Sequence, residues 1–318
     1  MRLIKTQFMK AVQIYSYGEP DVMIYEDAPM PQIKDDEVLV KIYASGVNPI
    51  DWKVRKGLAR SRTQYKFPLI LGWDMCGIIS EIGKDVTEFK KNDRVFGRPD
   101  TSRNGTYAEY IAVRANEISF APKLLDGYSA AGIPLAGLTA WQAIFDHGKL
   151  DKGKRILIQG ASGGVGTFAV QFARWKDAYI IGTSSEKNRQ FLMDLGANEV
   201  LDYHKENYEK KYSDIDIVLD TIGGETQKKS LSMLKPGGIL VSTVGIADEK
   251  IVKEKGLIGI GFMAKSLPEQ LKQIAQLADA GKVRPIIDHI LPLSAAVEAH
   301  RMSEAGHIRG KIILTISE

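Results

Sequence analysis

The sequence predicts an α/β protein, a doubly wound parallel sheet accompanied by a second, β-rich portion of chain. Three observations predict it. Residues 155–159, 179–183, 215–220 and 238–244 are short apolar runs, each separated from the next by a segment long enough for a crossover helix. Residues 155–166 pass from an apolar strand into a glycine-rich turn that opens a helix of small residues at 167–175. Up to about residue 115 the texture differs: β-type runs at 10–16, 37–45, 77–82, 93–96 and 106–113 alternate with turn residues.

The remaining elements follow from pattern and punctuation. Residues 128–145 carry too many apolar positions for an exposed amphipathic helix and read as a buried one. A helix over 186–195 stops at Gly196, and one over 227–234 stops before Pro236-Gly237-Gly238. Residues 267–280 have proline at their second position, Leu271, Ile274 and Leu277 on one face, and Gly281 as terminator. Residues 294–305 form a further helix with Ser294 as its cap, and 311–316 a last strand.

Length and composition narrow the function classes. The chain has 318 residues, a prior of two domains, with 44% hydrophobic and 26% charged residues, the mixture of a globular protein. A net charge of +4 with only short basic pairs leaves no footprint for nucleic acid as a main partner. The single cysteine, Cys76, rules out an intramolecular disulfide and a cysteine-rich zinc site and suits a reducing compartment. Lys5, Gln7 and Lys10 interrupt the N-terminal apolar residues before a signal-peptide core forms, and no run approaches the ~20 apolar residues of a membrane helix. The expectation is a cytoplasmic protein with no membrane partner.

The glycine turn carries the most chemistry. It departs from G-x-G-x-x-G because Ala161 takes the first glycine position, with Gly163 and Gly166 in the second and third. Glycines let a backbone approach a ligand closely, and a helix N-terminus offers unpaired N–H groups and the positive end of its dipole, which suits the pyrophosphate of a dinucleotide. Eighteen residues beyond Gly166 stands Ser184, where an NAD-preferring site places a carboxylate for the ribose 2′-hydroxyl. Ser184, Ser185, Lys187 and Arg189 instead offer donors and positive charge for a 2′-phosphate, which favours NADPH, although Glu186 stands among them.

The same turn reads a second way. Gly160-Ala161-Ser162-Gly163-Gly164 also fits G-x-S-x-G, the nucleophile elbow of serine hydrolases, and Asp220 with His289, His300 or His307 would complete the hydrolase chain order. No His-Gly-Gly oxyanion segment precedes it, and a hydrolase has no use for the donors at 184–189. A serine hydrolase using Ser162 stands as an alternative.

Further motifs join the glycine turn: Met9-Lys10-Ala11, the run from Ala44 through Asn48-Pro49-Ile50-Asp51-Trp52-Lys53, Gly72-Trp73-Asp74-Met75-Cys76-Gly77, Gly137-Leu138-Thr139-Ala140, Ala280-Gly281-Lys282-Val283-Arg284-Pro285 and Gly306-His307-Ile308-Arg309-Gly310-Lys311. Over nearly the whole chain these resemble the zinc-less quinone oxidoreductases, the zeta-crystallin-like branch of the medium-chain dehydrogenase/reductases, with residues 1–8 as an extension. The resemblance implies a β-rich, GroES-like catalytic domain from residues 1–130 and 265–318, around a Rossmann-type dinucleotide-binding domain at 131–264, with the acceptor in the cleft between them. In zinc-dependent relatives a cysteine stands at the position of Asn48 and a histidine at that of Trp73, together holding the metal that polarises a carbonyl. Both are absent here, and the five histidines show no paired ligand spacing, so no metal site is expected.

Without a Lewis acid, hydride delivery to a plain carbonyl leaves the developing alkoxide poorly stabilised, whereas a quinone or α,β-unsaturated carbonyl delocalises the incoming electrons. The expected function is therefore NADPH-dependent, zinc-independent hydride transfer to a quinone or enone. The resemblance implies that Asn48 and Thr139 lie near the nicotinamide, and Ala161, Ser162, Gly163, Gly164, Val165 and Gly166 at the pyrophosphate. It implies Ser184, Ser185, Lys187 and Tyr203 near the adenosine phosphate, and Thr221, Val244, Phe262 and Lys311 along the cofactor cleft. The Asn-Pro-x-Asp-aromatic-Lys spacing resembles enone-reducing members in which the lysine, here Lys53, reaches the substrate oxygen; Asp51 orients it or hydrogen-bonds the loop. Trp52 and Trp73 are candidate walls for an aromatic acceptor, Tyr43 a candidate proton donor, and the loop at 59–66 a further pocket wall. A homodimer paired through the apolar run 256–263 is expected, and a non-enzymatic, crystallin-like NADPH-binding protein is the alternative from another class.

Overall fold

The structure, a computed structural model, describes residues 8–61, 63–205 and 208–317. The expected N-terminal extension therefore lies outside the described residues up to residue 7, as does Arg62 of the 59–66 loop. The chain forms two compact units: residues 136–265 with 281–284, and the rest. The division differs from the expected boundaries by a few residues and assigns the four residues 281–284 to the nucleotide-type unit.

The first part of the chain forms strands β1 (Phe8–Ile14), β2 (Ile24–Pro29) and β3 (Glu37–Val47), helix α1 (Pro49–Arg55), then β4 (Leu69–Ile70), β5 (Met75–Ile82), β6 (Arg94–Gly97), β7 (Tyr110–Arg114), β8 (Ile118–Phe120) and α2 (Gly127–Ala131). The long strand β3 is the spine of this unit. Val38, Val40 and Ile42 alternate inward onto Met75, Ile79, Val95 and Ile111, the period-2 pattern of a sheet with a buried face. Its neighbours β5 and β7 both run antiparallel to it. The strand expected at 106–113 begins only at Tyr110; ahead of it Tyr107 N–H donates to the Leu71 carbonyl and Ala108 bridges Ala11.

Helix α3 (Pro134–Trp141), in which the division between the units falls, begins where one long helix was expected at 128–145. The segment is broken twice. Pro134 has no N–H to give and its ring excludes the carbonyl four residues back, so α2 ends at Ala131 and a new helix starts on the proline. After Trp141 the winding widens to a π segment at Gln142–His147, where Gly148 N–H reaches the Ala143 carbonyl.

The second unit continues with β9 (Arg155–Ile158), α4 (Gly164–Trp175), β10 (Tyr179–Ser184), α5 (Arg189–Leu195), β11 (Glu199–Asp202), β12 (Ile215–Asp220), α6 (Gly224–Ser230), β13 (Leu234–Ser242), α7 (Glu249–Glu254) and β14 (Ile258–Gly261). All six strands are parallel, in the order β11-β10-β9-β12-β13-β14, the doubly wound order whose direction reverses between β9 and β12. Leu157, Ile181, Val218 and Leu240 supply its buried face. The helix expected over 227–234 is instead α6, over by Ser230. The Ser230 and Ser232 hydroxyls donate to carbonyls three residues back, and Pro236-Gly237-Gly238 forms a bulge inside β13.

The chain then returns to the first unit with α8 (Pro268–Asp279), β15 (Ile287–Pro292), α9 (Ala296–Ala305) and β16 (Lys311–Thr315). Ser294 is not a cap: residues Leu293–Ala295 make a 3₁₀ turn and Ala295 precedes α9. Strand β16 runs antiparallel to β3 and parallel to β15, and lies between them in the large sheet.

The glycines of the turn before α4 are not equivalent. A Cβ on Gly166 would stand 2.3 Å from the Gly160 carbonyl oxygen and 2.6 Å from the Ala161 Cα, whereas one on Gly163 meets nothing nearer than 3.4 Å. Gly166→Ala is therefore expected to lose about 1–3 kcal/mol and Gly163→Ala less than about 0.5 kcal/mol, read from denaturant midpoints; equal losses would show that helix–strand closeness does not fix Gly166.

Candidate active site

Strand β9 delivers the chain to the reversal point of the parallel sheet. The tight turn there belongs to Gly160, with φ +66°, one residue ahead of the position read from the motif. This is why alanine is accommodated at 161: its methyl packs toward Gly182 of β10, where an added Cβ would come within 2.9 Å. Gly163 precedes the first turn of α4, and no side chain caps that turn. The N–H groups of Gly164, Val165 and Gly166 thus face outward from a helix N-terminus, with open space at Gly163. Thr221, just past β12, closes the other side of the turn by donating its hydroxyl to the Gln159 carbonyl.

Asp220 holds that second wall. It is wholly buried and accepts from Ile222 N–H, Gly223 N–H, Gln227 Nε2 and Ser242 Oγ, so both oxygens are taken. Ser162 Oγ accepts from Asn188 Nδ2 at 3.2 Å. His289, His300 and His307 belong to the other unit, and within it both ring nitrogens of His300 are engaged, by Arg55 and Tyr107.

At the end of β10, Ser184 is buried and its hydroxyl donates to the Ser185 carbonyl. Tyr203 N–H donates to the Ser184 carbonyl, its half-exposed ring lies 4.2 Å from that of His204, and Lys187, on the turn after β10, is exposed. Arg189 is occupied by the Glu186 carboxylate and the Val200 carbonyl. The Arg189 and Lys205 cations hold the Glu186 carboxyl down to about 2, so the one acid of this segment is already paired. Further along, Val244 is exposed after β13, and the Phe262 ring packs 4.7 Å from His147. Thr139 is buried within α3.

In the β-rich unit the C-terminus of β3 delivers Asn48 into a buried polar cluster. Lys311 Nζ, from the start of β16, donates to the Val47 carbonyl, Asn48 Oδ1 and Asp74 Oδ2, using all three of its hydrogens. Asn48 Nδ2 donates to Asp74 Oδ2 at 2.8 Å and to the Gly46 carbonyl, and Asp74 Oδ1 accepts from Leu135 N–H. Burial pushes the Asp74 carboxyl up, against the pull of Lys311 and Asn48. Gly46 makes the approach possible, since a Cβ there would stand 2.7 Å from Asp74 Oδ2.

Asp51 lies beneath this cluster in the first turn of α1. Its Oδ2 accepts from Asn48 N–H and from the Tyr107 hydroxyl, each at 2.8 Å. Burial pushes its carboxyl up to about 7, while Asn48, Tyr107 and Lys311 oppose the shift. Lys53 follows on α1, half-buried, with Nζ 5.6 Å from the centre of the Trp52 ring. Trp52 is half-buried, but Trp73 is a core residue with no exposed surface, packed near Tyr65. Tyr43, on β3, lies against Gly127 of α2. Cys76 is buried, which pushes its thiol up to about 12 and leaves it unreactive.

The structure thus groups Asn48, Asp51 and Lys311 tightly and adds two side chains that the sequence reading did not single out, Asp74 and Tyr107. Asp74 had a signal, an acid inside an otherwise apolar run next to Trp73; Tyr107 had none. Among the described residues no group of three or more His, Cys, Asp or Glu side chains stands close enough to hold a metal ion, and no helix is long and apolar enough to cross a membrane.

Comparison with known proteins agrees with both units. Residues 34–123 match the alcohol dehydrogenase GroES-like domain, and residues 195–314 match a family described as zinc-binding dehydrogenase. The chain is 38% identical to the mitochondrial NAD(P)H oxidoreductase RTN4IP1 of Danio rerio, over 98% of this chain and 92% of that one. It is 34% identical to the 2-methylene-furan-3-one reductase of Solanum lycopersicum, over 96% and 79%. The solved quinone oxidoreductase of Coxiella burnetii superposes with a TM-score of 0.90 at 33% identity, over 97% and 99%. With both domain families, the reversed parallel sheet and these full-length relatives in agreement, the chain belongs to the medium-chain dehydrogenase/reductase superfamily, in its quinone oxidoreductase, zeta-crystallin-like branch.

Proposed function

We propose that the protein is an NADPH-dependent, zinc-independent oxidoreductase that reduces quinones or α,β-unsaturated carbonyls. The observation that carries this reading is the buried cluster of Asn48, Lys311 and Asp74. At the position of the zinc-ligating cysteine stands an amide already bonded to a lysine and a carboxylate, and at that of the histidine stands a core tryptophan. These residues do not fit a zinc ion, and the chemistry is derived without one. Acceptors that delocalise the incoming electron pair need only hydrogen-bond donors and a proton, a demand that an amide, a lysine and a titratable carboxyl can meet.

The residues of the turn fit a dinucleotide. Bound NADPH would supply the hydride. The uncapped N–H groups of Gly164, Val165 and Gly166 would hold its pyrophosphate, with Ala161, Ser162 and Gly163 along the approach and Thr221 opposite. The reading as NADPH is supported by the exposed Lys187 on the turn after Ser184 and by the absorption of Glu186 into its pairs with Arg189 and Lys205, with Tyr203 kept as a further contact. Thr139, Val244, Phe262 and Ser185 stay in the reading as further cofactor contacts, and Tyr43 and Trp52 as residues around the acceptor, whereas Trp73, wholly buried in the core, leaves it. Lys53 is proposed to place its ammonium at the acceptor oxygen, with Asn48 and Asp51 ordering the segment that carries it. A homodimer is supported by β14, an edge strand with Ile258 exposed and its outer backbone groups unpaired within the sheet. A cytoplasmic location is supported by the lone, buried cysteine.

The nicotinamide absorbance, followed with NADPH or NADH against a panel of quinones, enones and simple aldehydes, is expected to fall with NADPH plus quinones or enones and to hold steady with aldehydes. NADPH binding with no turnover against any acceptor would instead favour the crystallin-like alternative. Lys53→Met is expected to lower kcat at least about 100-fold, the scale of a lost general acid, with NADPH affinity unchanged; wild-type turnover would remove Lys53 from the mechanism. Lys311→Met, which strands the buried Asp74 carboxylate, is expected to lose about 3–5 kcal/mol in denaturant unfolding, and Lys311→Met with Asp74→Leu to recover part of it. Light scattering is expected to give a dimer, and Ile258→Lys a monomer; a monomeric wild type would remove the role assigned to β14.

A further inference from the structure

We propose that Tyr107, backed by His300 and Arg55, is a positioning residue for the segment 48–53, the last donor of a one-way hydrogen-bond chain that starts at Arg55 of α1 and passes through His300 of α9. The proposal rests on the reading above that this segment takes part in the reaction. None of the three side chains reaches Lys53 or Asn48 directly; they act through Asp51.

The direction of the chain follows from which groups can accept. Arg55 is wholly buried, and its guanidinium has five donors and no acceptor. It donates through Nη2 to Glu304 Oε2 at 2.7 Å, through Nε to the Gly18 carbonyl at 3.1 Å, and through Nη1 to His300 Nδ1 at 3.1 Å. His300 Nδ1 must therefore be the unprotonated nitrogen. Burial and the Arg55 charge hold His300 down at about 3, so the ring is neutral and its single proton sits on Nε2. Nε2 stands 3.2 Å from the Tyr107 oxygen, which it can reach only as donor. The Tyr107 hydroxyl is thereby turned to give its own proton to Asp51 Oδ2 at 2.8 Å, where Asn48 N–H also donates.

The phenol that transmits this order cannot drift. Tyr107 has no exposed surface; its N–H donates to the Leu71 carbonyl and its carbonyl accepts from Val12 N–H. Its ring lies against the backbone of Gly72, which adopts φ +89° and where a Cβ would fall 2.3 Å from the ring. His300 meets the ring edge-on, with centroids 5.7 Å apart. Because Arg55 does not give up its proton, the chain cannot conduct protons inward. What it does is fix Oδ2 as acceptor for two donors and leave Oδ1, which has no hydrogen-bond partner among the described residues, as the atom that takes up a proton. Lys311 also favours the ionised carboxyl, and Asp74 opposes it; around His300 the charges are Arg55 and Glu304.

The test uses the whole protein and two readouts, the pH titration of the Asn48 amide resonance and the pH profile of kcat/KM for NADPH-dependent reduction of a quinone. Tyr107 stabilises ionised Asp51, so Tyr107→Phe is expected to raise the midpoint of the Asn48 titration by about one pH unit, the scale of one donor lost from a carboxylate. The kinetic limb with the same midpoint moves with it. His300→Leu, which frees the phenol hydroxyl to rotate, is expected to shift both in the same direction. His300→Gln is expected to restore them, because its amide both accepts and donates as the ring does. Unchanged Asn48 midpoints in Tyr107→Phe and His300→Leu, with only unfolding made easier, would overturn the proposal and leave the chain a packing device. A shifted Asn48 titration with an unmoved kinetic limb would uphold the chain and overturn instead the placing of residues 48–53 in the reaction.

Discussion

The β-rich unit depends on one buried ion pair. Lys311 and Asp74 are 237 residues apart in sequence, and each is almost completely removed from water. Two charges withdrawn from solvent are tolerated only when their remaining hydrogen-bond capacity is met. Here it is met by residues that have no other reason to converge: the Val47 carbonyl at the end of β3, the Asn48 amide, and the backbone N–H of Leu135. Satisfying the pair therefore forces β16 onto β3 and brings the Gly72–Asp74 turn and the start of α3 to the same point. Gly46 has to be glycine for the same reason, because any side chain would enter the carboxylate.

Under the zinc-independent reading proposed above, the Lys311–Asp74 pair does more than fill the place of a metal. A divalent cation would be the largest local charge in such a site and would set the ionisation of every neighbour. In this chain a lysine supplies positive charge beside Asn48 through a covalently tethered group that lasts as long as the fold does. Burial pushes the neighbouring Asp51 carboxyl up to about 7, against its hydrogen bonds and the Lys311 charge. Under the reading proposed above, a carboxyl pushed toward neutrality by burial would suit a proton-coupled reduction.

Much of this was legible from residues alone. The apolar runs ending at Ile158, Asp220 and Ser242 are buried on both faces, so their composition announces parallel strands without any need of alternation. The glycine turn was legible in kind but offset in register: the positive φ sits at Gly160, and only coordinates separate a turn-forming glycine from one spared for space. The segment 128–145 misled because Pro134 lies inside an unbroken apolar stretch, where composition speaks louder than a single missing N–H. Asn48, Asp51 and Lys53 were singled out through the family that their spacing resembles. Tyr107 and His300 were not, since a buried polar residue carries no local pattern and its partner lies 193 positions away. Long-range satisfaction of polar atoms is the part of a fold that periodicity does not encode.

The placement of Lys311 on the last strand has a consequence for how the molecule is made. Synthesis runs from the N-terminus, so β3, the turn at Gly72–Asp74 and helix α1 exist as nascent chain long before the lysine that neutralises Asp74 or the histidine that orders Tyr107. The parallel-sheet unit, complete apart from residues 281–284, can gather its core meanwhile. The β-rich unit must wait with an uncompensated acid at its centre, and it closes only when β16 arrives. Maturation is thus written into chain order: a polypeptide that stops just short of residue 311 holds the glycine turn and the Asn48 segment, yet lacks the lysine that satisfies Asp74.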